Sequence, residues 1–309
     1  MPLFRQIQWD DSLQRDCQTL VRLALAEDLN GEFDWTTVAL VPADRTGSAN
    51  IVSREAGIAA GMPAIATVFS ESKAELRVTP FVEDGQPFEN RTALARIEGS
   101  VRDLLTIERT LLNLLGRLMG IATLTNHYVM EVSGTKAQIY DTRKTTPGWR
   151  RLEKYAVRCG GGCNHRAGLY DAVLIKDNHL AQRSGASIGS PADAAAAVRE
   201  IRQYLQSPQG AAKPTALTVQ VEVDSLEQLE AVLPAGPDIV LLDNMPPAML
   251  RQAIEIRDRL AKHVELEASG GVRLDTVREI SFTGVERISA GALTHSARVL
   301  DIGLDWQAS

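Results

Sequence analysis

Ile239-Val-Leu-Leu-Asp-Asn244, a helix-like Pro246–Lys262 and Val264-Glu-Leu-Glu-Ala-Ser-Gly-Gly271 decide the fold. Each flanking run is short, apolar and of β type, and each ends in polar or glycine residues. The segment between them is long enough for a helix to return the chain to the side it started from, so the two strands pair in parallel. Working outward, the same unit recurs. The runs Ala137–Tyr140, Ala172–Ile175, Leu217–Val223 and Arg287–Ala290 add four more strands, and Gly148–Arg158, Pro191–Leu205, Ser225–Leu233 and Leu274–Ile280 have helical character. Alternation of this kind implies a parallel sheet covered by helices. The polar groups Asp141-Thr-Arg-Lys144, Lys176, Glu222, Asp224, Asp243-Asn244, Ser269–Gly271 and Gly291 all follow strands. In a closed β/α architecture those ends meet at one mouth, where active sites of that fold sit. No Gly-x-Gly-x-x-Gly follows an early strand, which argues against a dinucleotide-binding doubly wound sheet. An incomplete barrel with six clear strands is the expectation.

Residues 1–100 read differently. An amphipathic helix at Asp11–Asp28 precedes strand-like runs at Gly47–Ser53, Leu76–Val82 and Ala93–Ile97, which make a separate α+β unit. A helical stretch over Val101–Val132 joins it to the barrel, with Gly116 and Gly120 expected as breaks. Ser207–Thr215 is the expected exposed loop. With 309 residues and 44% hydrophobic content the chain has material for two such cores.

Charge marks the site. From Arg143 to Lys176 eight basic residues (Arg143, Lys144, Arg150, Arg151, Lys154, Arg158, Arg166 and Lys176) face two acids (Glu153 and Asp171), a local balance of 8 − 2 = +6 in a chain of net charge −6. Such a cluster must be relieved by acids from elsewhere in the fold or by an anionic ligand. Its confinement to one short region disfavours nucleic acid, which asks for an extended basic surface. Guanidinium and ammonium at strand ends suit carboxylates and phosphates, so Arg143, Lys144, Arg166 and Lys176 are candidate ligand groups. For Arg150, Arg151, Lys154 and Arg158, on a helix, a structural role is the alternative. Glu222 and Asp243 could hold ribose hydroxyls or Mg2+ through oxygen; as an acid and base pair they would also suit glycoside hydrolysis, but a neutral sugar has no use for the surrounding cations. Ser269-Gly270-Gly271 and Ala290-Gly291-Ala292 resemble a phosphate cradle built from backbone N–H groups. Cys159-x-x-x-Cys163-x-His165 lacks an evident fourth zinc ligand, so His165 reads instead as a donor to the anion. Lys176 as a Schiff-base lysine is the rival from another enzyme class. The three cysteines are too few for a disulfide framework. With no apolar signal region in residues 1–30 and no apolar run of membrane length, a cytoplasmic protein is expected.

Asp141-Thr-Arg-Lys-Thr-Thr-Pro-Gly148, Asn164-His-Arg166, Leu174-Ile-Lys-Asp-Asn-His179, Val221-Glu-Val223, Leu241-Leu-Asp-Asn244, Glu267-Ala-Ser-Gly-Gly271 and Gly291-Ala-Leu-Thr-His295, with the Glu108-Arg-Thr-Leu-Leu-Asn113 segment, resemble the quinolinate phosphoribosyltransferase family. The resemblance implies an α/β fold with an N-terminal α/β sandwich over residues 1–115, joined by the C-terminal tail 296–309, and an open β/α barrel of about seven strands over 116–295. It further implies conversion of quinolinate and phosphoribosyl pyrophosphate to nicotinate mononucleotide, carbon dioxide and pyrophosphate with Mg2+, in NAD synthesis. A homodimer is implied, in which Arg109 reaches into the neighbouring subunit's site. By the same resemblance Thr142, Arg143, Lys144, His165, Arg166 and Lys176 hold carboxylates and phosphates. Glu222 and Asp243 hold ribose and metal, and Ser269, Gly270, Gly271, Ala290, Gly291 and Ala292 hold the 5′-phosphate. Lys144, Lys176, Glu222 and Asp243 are the implied catalytic groups.

Overall fold

The computed structural model describes residues 4–184, 190–211 and 217–307. The chain divides into two compact units. One comprises Ile7–Asn126, Lys144–Gly162 and Leu293–Ser309, and the other Met1–Gln6, His127–Arg143 and Cys163–Ala292. Elements are numbered in chain order.

In the first unit, α1 (Asp11–Leu29) starts where the Asp10 carboxylate accepts from the N–H groups of Ser12 and Leu13, and it buries Leu13, Cys17, Val21 and Leu25, one residue per turn. After α2 (Trp35–Leu40) come β1 (Thr46–Ser53), β2 (Gly57–Ile58), α3 (Ala64–Ser72), β3 (Leu76–Pro80), β4 (Pro87–Phe88) and β5 (Ala93–Ser100). The antiparallel sheet runs β12-β1-β5-β3. Its edge strand β12 (Ile302–Trp306) comes from the end of the chain and pairs with β1 from Ala49↔Trp306 to Ser53↔Ile302.

Next, α4 (Val101–Glu131) is unbroken over 31 residues, so Gly116 and Gly120 are not breaks. A Cβ on Gly120 would lie 1.9 Å from the Arg298 carbonyl oxygen, and one on Gly116 would lie 2.8 Å from that of Leu300. These glycines let the segment before β12 lie directly on the helix. Within this unit α5 (Arg150–Cys159) follows the Lys144–Gly148 loop.

The second unit is built on β6 (Gln138–Tyr140), β7 (Val173–Ile175), β8 (Val219–Val223), β9 (Ile239–Asp243), β10 (Glu265–Ser269) and β11 (Arg287–Ser289). All pairings are parallel, in the order β6-β11-β10-β9-β8-β7. The connections carry α6 (Asp177–Ser184), α7 (Pro191–Gln206), α8 (Pro208–Ala211), α9 (Leu226–Val232), α10 (Pro247–Leu260) and α11 (Val277–Ser281). Thus β6 and β7 are the two edges, and Cys163 adds a single parallel bridge to Tyr140 on the free edge of β6. Six strands plus this rudimentary seventh make the open barrel. The region expected as a loop after Ser207 begins with α8, and residues 212–215 lie outside the described residues.

One face of these strands is apolar and buried: Val219, Val221, Val223, Val240, Leu242, Leu266, Ala268 and Ile288. The alternate face, selected by the period-2 geometry, carries Gln220 and Glu222, Leu241 and Asp243, Glu267 and Ser269, and Arg287 and Ser289. The barrel interior is therefore largely polar, unlike the branched aliphatic layers usual in such folds. Among the described residues no helix is long and apolar enough to cross a membrane.

Candidate active site

The barrel unit brings together most of the residues singled out in the sequence. Arg143 follows β6, Lys176 follows β7, Glu222 lies within β8, and Asp243 and Ser269 end β9 and β10. Lys176 Nζ donates to Glu222 Oε2 at 2.6 Å, so adjacent strand ends present a cation and a carboxylate already paired. This ammonium beside a carboxylate is a poor start for Schiff-base chemistry, which needs a free amine. Asp177, Glu222, Asp224 and Asp243 line one small cavity of about 60 Å3. Hard oxygen donors are the kind that Mg2+ takes, and Glu222 and Asp243 could contribute to holding one, but among the described residues no three His, Cys, Asp or Glu side chains are grouped so as to hold a metal ion by themselves.

Behind β6, the fully buried Asp141 accepts from Asn164 Nδ2 at 2.6 Å and from the His165 N–H at 2.8 Å. Gln6 adds a reciprocal pair, its side chain accepting from Asn164 N at 2.8 Å and donating to Asn164 O at 3.2 Å. These bonds fix the Asn164-His-Arg166 turn. The Arg166 N–H donates to His165 Nδ1 at 2.8 Å, so the ring carries its proton on Nε2. That atom meets Gln220 Oε1 at 2.8 Å and faces Glu267 Oε1 at 3.6 Å. Both ring nitrogens thus have protein partners, which differs from the expectation of a donor aimed at an anion. His165 is turned inward because Glu267 is there to receive it.

Glu267 anchors the interior. It is fully buried and accepts from Gln220 Nε2 at 3.1 Å and Arg287 Nε at 2.9 Å. Burial raises its carboxyl, yet the Nε2–H end of His165 and the Arg287 guanidinium outweigh it and hold the group below the ordinary carboxylate value. Arg287 lies 3.6 Å from the Tyr140 ring centroid and 4.9 Å from that of Phe4. Phe4 also meets His165 at 4.4 Å between centroids. Sequence reasoning missed Gln220, Arg287 and the Phe4–Gln6 arm, and it quoted Asp141 and Glu267 in their motifs without giving either a role. A signal was present for one pair, since Glu267 and Arg287 are register partners on neighbouring strands.

Among the described residues three arginines leave a buried donor unmet, Arg287 through Nη2 in the interior and two nearer the strand ends. Arg143 Nε and Arg166 Nε are buried without a hydrogen-bond partner, although Arg166 Nη1 reaches the Ala172 carbonyl at 3.0 Å. Burial, and then the charge of Arg143, pull the Arg166 guanidinium below its ordinary value, against the pull of Asp171. Unpaired buried donors on neighbouring cations are what an anion would satisfy.

At the last strands, Gly270 and Gly271 have φ of +88° and +60°, and a Cβ on Gly270 would fall 2.3 Å from Asn244 Oδ1. The turn therefore requires glycine, because Asn244 packs against it. Asn244, itself at φ 53°, donates from Nδ2 to Asp243 Oδ2 at 2.8 Å and from its N–H to Ser269 O at 2.9 Å. Ala290 N donates to Tyr140 O at 3.0 Å, and Gly291 and Ala292 follow in the same turn.

Comparison with known proteins shows the family. The family models described as quinolinate phosphoribosyl transferase, N-terminal domain and C-terminal domain, match residues 34–119 and 121–305. The chain belongs to the quinolinate phosphoribosyltransferase family. It is 47% identical over 287 residues, 92% of this chain and 95% of the relative, to the nicotinate-nucleotide pyrophosphorylase (carboxylating) of Mycobacterium leprae. A Bacillus subtilis relative with the same name, qualified as probable, is 37% identical, with 90% of this chain and 89% of that one covered. The solved nicotinate-nucleotide pyrophosphorylase of Francisella tularensis superposes with a TM-score of 0.86 at 34% identity, covering 98% of this chain and 100% of that one.

Of the quinolinate phosphoribosyltransferase residues named in the sequence, Lys144 and Arg109 belong to the sandwich unit. Arg109 is exposed on α4 and lines a cavity of about 330 Å3 with Leu20, Ala24, Asp28, Asn113 and Trp149. In the same unit Arg151 is paired with Asp10 at 3.4 Å and Asp16 at 3.2 Å, Arg150 donates to Thr145 Oγ1 at 3.0 Å, and Arg158 donates to Gly162 O at 2.8 Å. Arg150, Arg151 and Arg158 thus have partners within their own unit. Burial pushes the Cys159 thiol up to about 12, which keeps it protonated and unreactive.

Proposed function

We infer that this chain transfers the phosphoribosyl group of phosphoribosyl pyrophosphate to the nitrogen of quinolinate and releases pyrophosphate and carbon dioxide, forming nicotinate mononucleotide for NAD synthesis. The carrying observation is the pair of buried, acceptor-less Nε–H groups on Arg143 and Arg166, a clamp for a dianion. Loss of pyrophosphate from ribose C1 leaves negative charge on the leaving group and positive charge on the ring. Lys144 and Lys176 suit the first, and the carboxylates of Glu222 and Asp243 suit the second. Mg2+, when bound, supplies further charge for the departing pyrophosphate. Thr142 and the turns Ser269–Gly271 and Ala290–Ala292 offer hydroxyl and backbone donors to the 5′-phosphate. Attack by the pyridine nitrogen makes a ring cation that stabilises the electron pair left on carbon when the adjacent carboxylate departs as carbon dioxide, and a proton taken up from solvent at that carbon completes nicotinate mononucleotide. That step asks for a dry pocket in which one carboxylate is gripped and the other loses its water, and the buried arginines suit the grip. The active species is a cytoplasmic homodimer in which Arg109 serves the neighbouring subunit's site.

Incubation with quinolinate, phosphoribosyl pyrophosphate and Mg2+ should yield nicotinate mononucleotide, carbon dioxide and pyrophosphate in equal amounts. Saturable binding of quinolinate with no pyrophosphate released would overturn the reading.

A further inference from the structure

Lys144 enters the proposed chemistry, but nothing in that chemistry accounts for how its main chain is held. In the sandwich unit the Thr294 hydroxyl donates to the Lys144 carbonyl oxygen at 2.7 Å. Thr294 is fully buried and belongs to Gly291-Ala-Leu-Thr-His295, a motif whose threonine has no assigned role. Its own carbonyl oxygen accepts from Arg117 Nη2, and Arg117 Nη1 donates to the Ala297 carbonyl at 2.8 Å.

Arg117 is in turn paired with Glu153, through Nη2 at 2.7 Å and Nε at 3.2 Å. The Glu153 side chain is fully buried and reaches back to the loop that carries Lys144. It accepts from Thr146 Oγ1 at 2.8 Å and from the Thr146 N–H at 3.2 Å. The loop Lys144–Thr146 is thereby held at two points two residues apart, one by Thr294 and one by Glu153, and a single arginine joins the two holders. A surface loop needs no buried ion pair for stability, since burying two charges gains little over apolar packing. Holding a reactive group to a fraction of an ångström is what such a frame does supply.

We propose that Thr294, backed by the Arg117–Glu153 pair, is a positioning residue that fixes the main chain at Lys144 and so sets where its ammonium meets the departing pyrophosphate. The proposal rests on the role given to Lys144 above. Removal of the hydroxyl deletes this bond to the Lys144 carbonyl while leaving the lysine itself in place. Misplacement of a catalytic group by about 1 Å costs on the order of 100-fold in rate, and partial release costs less.

The test compares Thr294→Val, Thr294→Ser, Lys144→Ala and the double substitution Lys144→Ala/Thr294→Val, with phosphoribosyl pyrophosphate and quinolinate varied in turn. Thr294→Val should lower kcat by about 10- to 100-fold with the KM for quinolinate unchanged. Thr294→Ser should restore kcat. In the Lys144→Ala background the valine should cost nothing more, because a residue that acts through Lys144 has nothing left to position. Additive losses, or equal losses in the serine and valine variants that follow the folded fraction, would mean a purely structural threonine and overturn the proposal. Full activity in Thr294→Val alongside inactive Lys144→Ala would overturn it and leave the role of Lys144 standing, whereas full activity in Lys144→Ala would remove both.

Discussion

Burial, and then the charge of Arg143, loosen the hold of Arg166 on its proton, and the Nε–H of each is buried without an acceptor. Two like charges with unmet donors destabilise the ligand-free fold, and that cost is returned when an anion binds. Arg143→Met should therefore leave the melting temperature of the ligand-free protein unchanged or higher. The same variant should lose about 2–5 kcal/mol of transition-state binding, the range for a charged contact in a desolvated site. Thermal melting with and without quinolinate, together with kcat/KM, separates the two effects. A variant destabilised in the absence of ligand but near normal in efficiency would reverse the assignment.

Lys176 and Glu222 are paired at 2.6 Å before any substrate arrives, so a bound phosphate competes with Glu222 for the lysine and leaves the carboxylate to the ribose or to Mg2+. Glu222→Gln keeps the shape and removes the charge. Its kcat should fall by about 10²- to 10³-fold, the scale for one preorganised electrostatic group, and the Mg2+ concentration for half-maximal activity should rise. An unchanged Mg2+ dependence would separate Glu222 from the metal.

The shared-site reading of Arg109 has its own test. Arg109 is exposed, and in its own subunit the ion pair it makes is a loose 3.9 Å contact with Glu108. If it serves a neighbouring subunit, inactive Arg109→Ala and Lys144→Ala homodimers should complement one another after subunit exchange. Each mixed dimer then contains one site free of both changes. Exchange proven by mass spectrometry without recovered activity would count against the shared site.

How much was legible depended on which force placed each residue. The strands were readable because one face of each must be apolar under its helices, as Val219-x-Val221-x-Val223 shows, and their polar C-terminal ends located the mouth. Arg143, Lys176, Glu222 and Asp243 could be named for that reason alone. The interior face was not readable in the same way, since Gln220, Glu267 and Arg287 are polar residues whose partners, one another together with His165 and Glu265, come mostly from strands and turns distant in sequence. His165 was misjudged in orientation because its partners, Gln220 and Glu267, lie 55 and 102 residues away. Gly116 and Gly120 carried a local signal for flexibility, whereas their cause is tertiary, the backbone of Arg298–Leu300 lying against α4. Short elements such as β2 and β4 left too little pattern to register.

Glu267 makes the fold acid-sensitive in a way that can be predicted with its sign. Its carboxyl is held below the ordinary value in the folded state, while in the unfolded chain it titrates near about 4.3. The stabilisation is thus complete above about pH 5, declines as the unfolded chain begins to take up the proton, and is gone once pH falls through the depressed folded value. Glu267→Gln should flatten this part of the acid limb. At neutral pH it should cost about 1–3 kcal/mol, less than the loss of a sole partner, because Arg287 keeps its Nη1 bond to Glu265 Oε2 at 3.1 Å and gives up only the bond to Glu267. Adding Arg287→Met should recover part of that loss, since the buried guanidinium is then held by one carboxylate in place of two. Urea unfolding between pH 3 and pH 7 checks the series, and equal losses in wild type and Glu267→Gln across that range would show that the carboxylate is not the group that titrates.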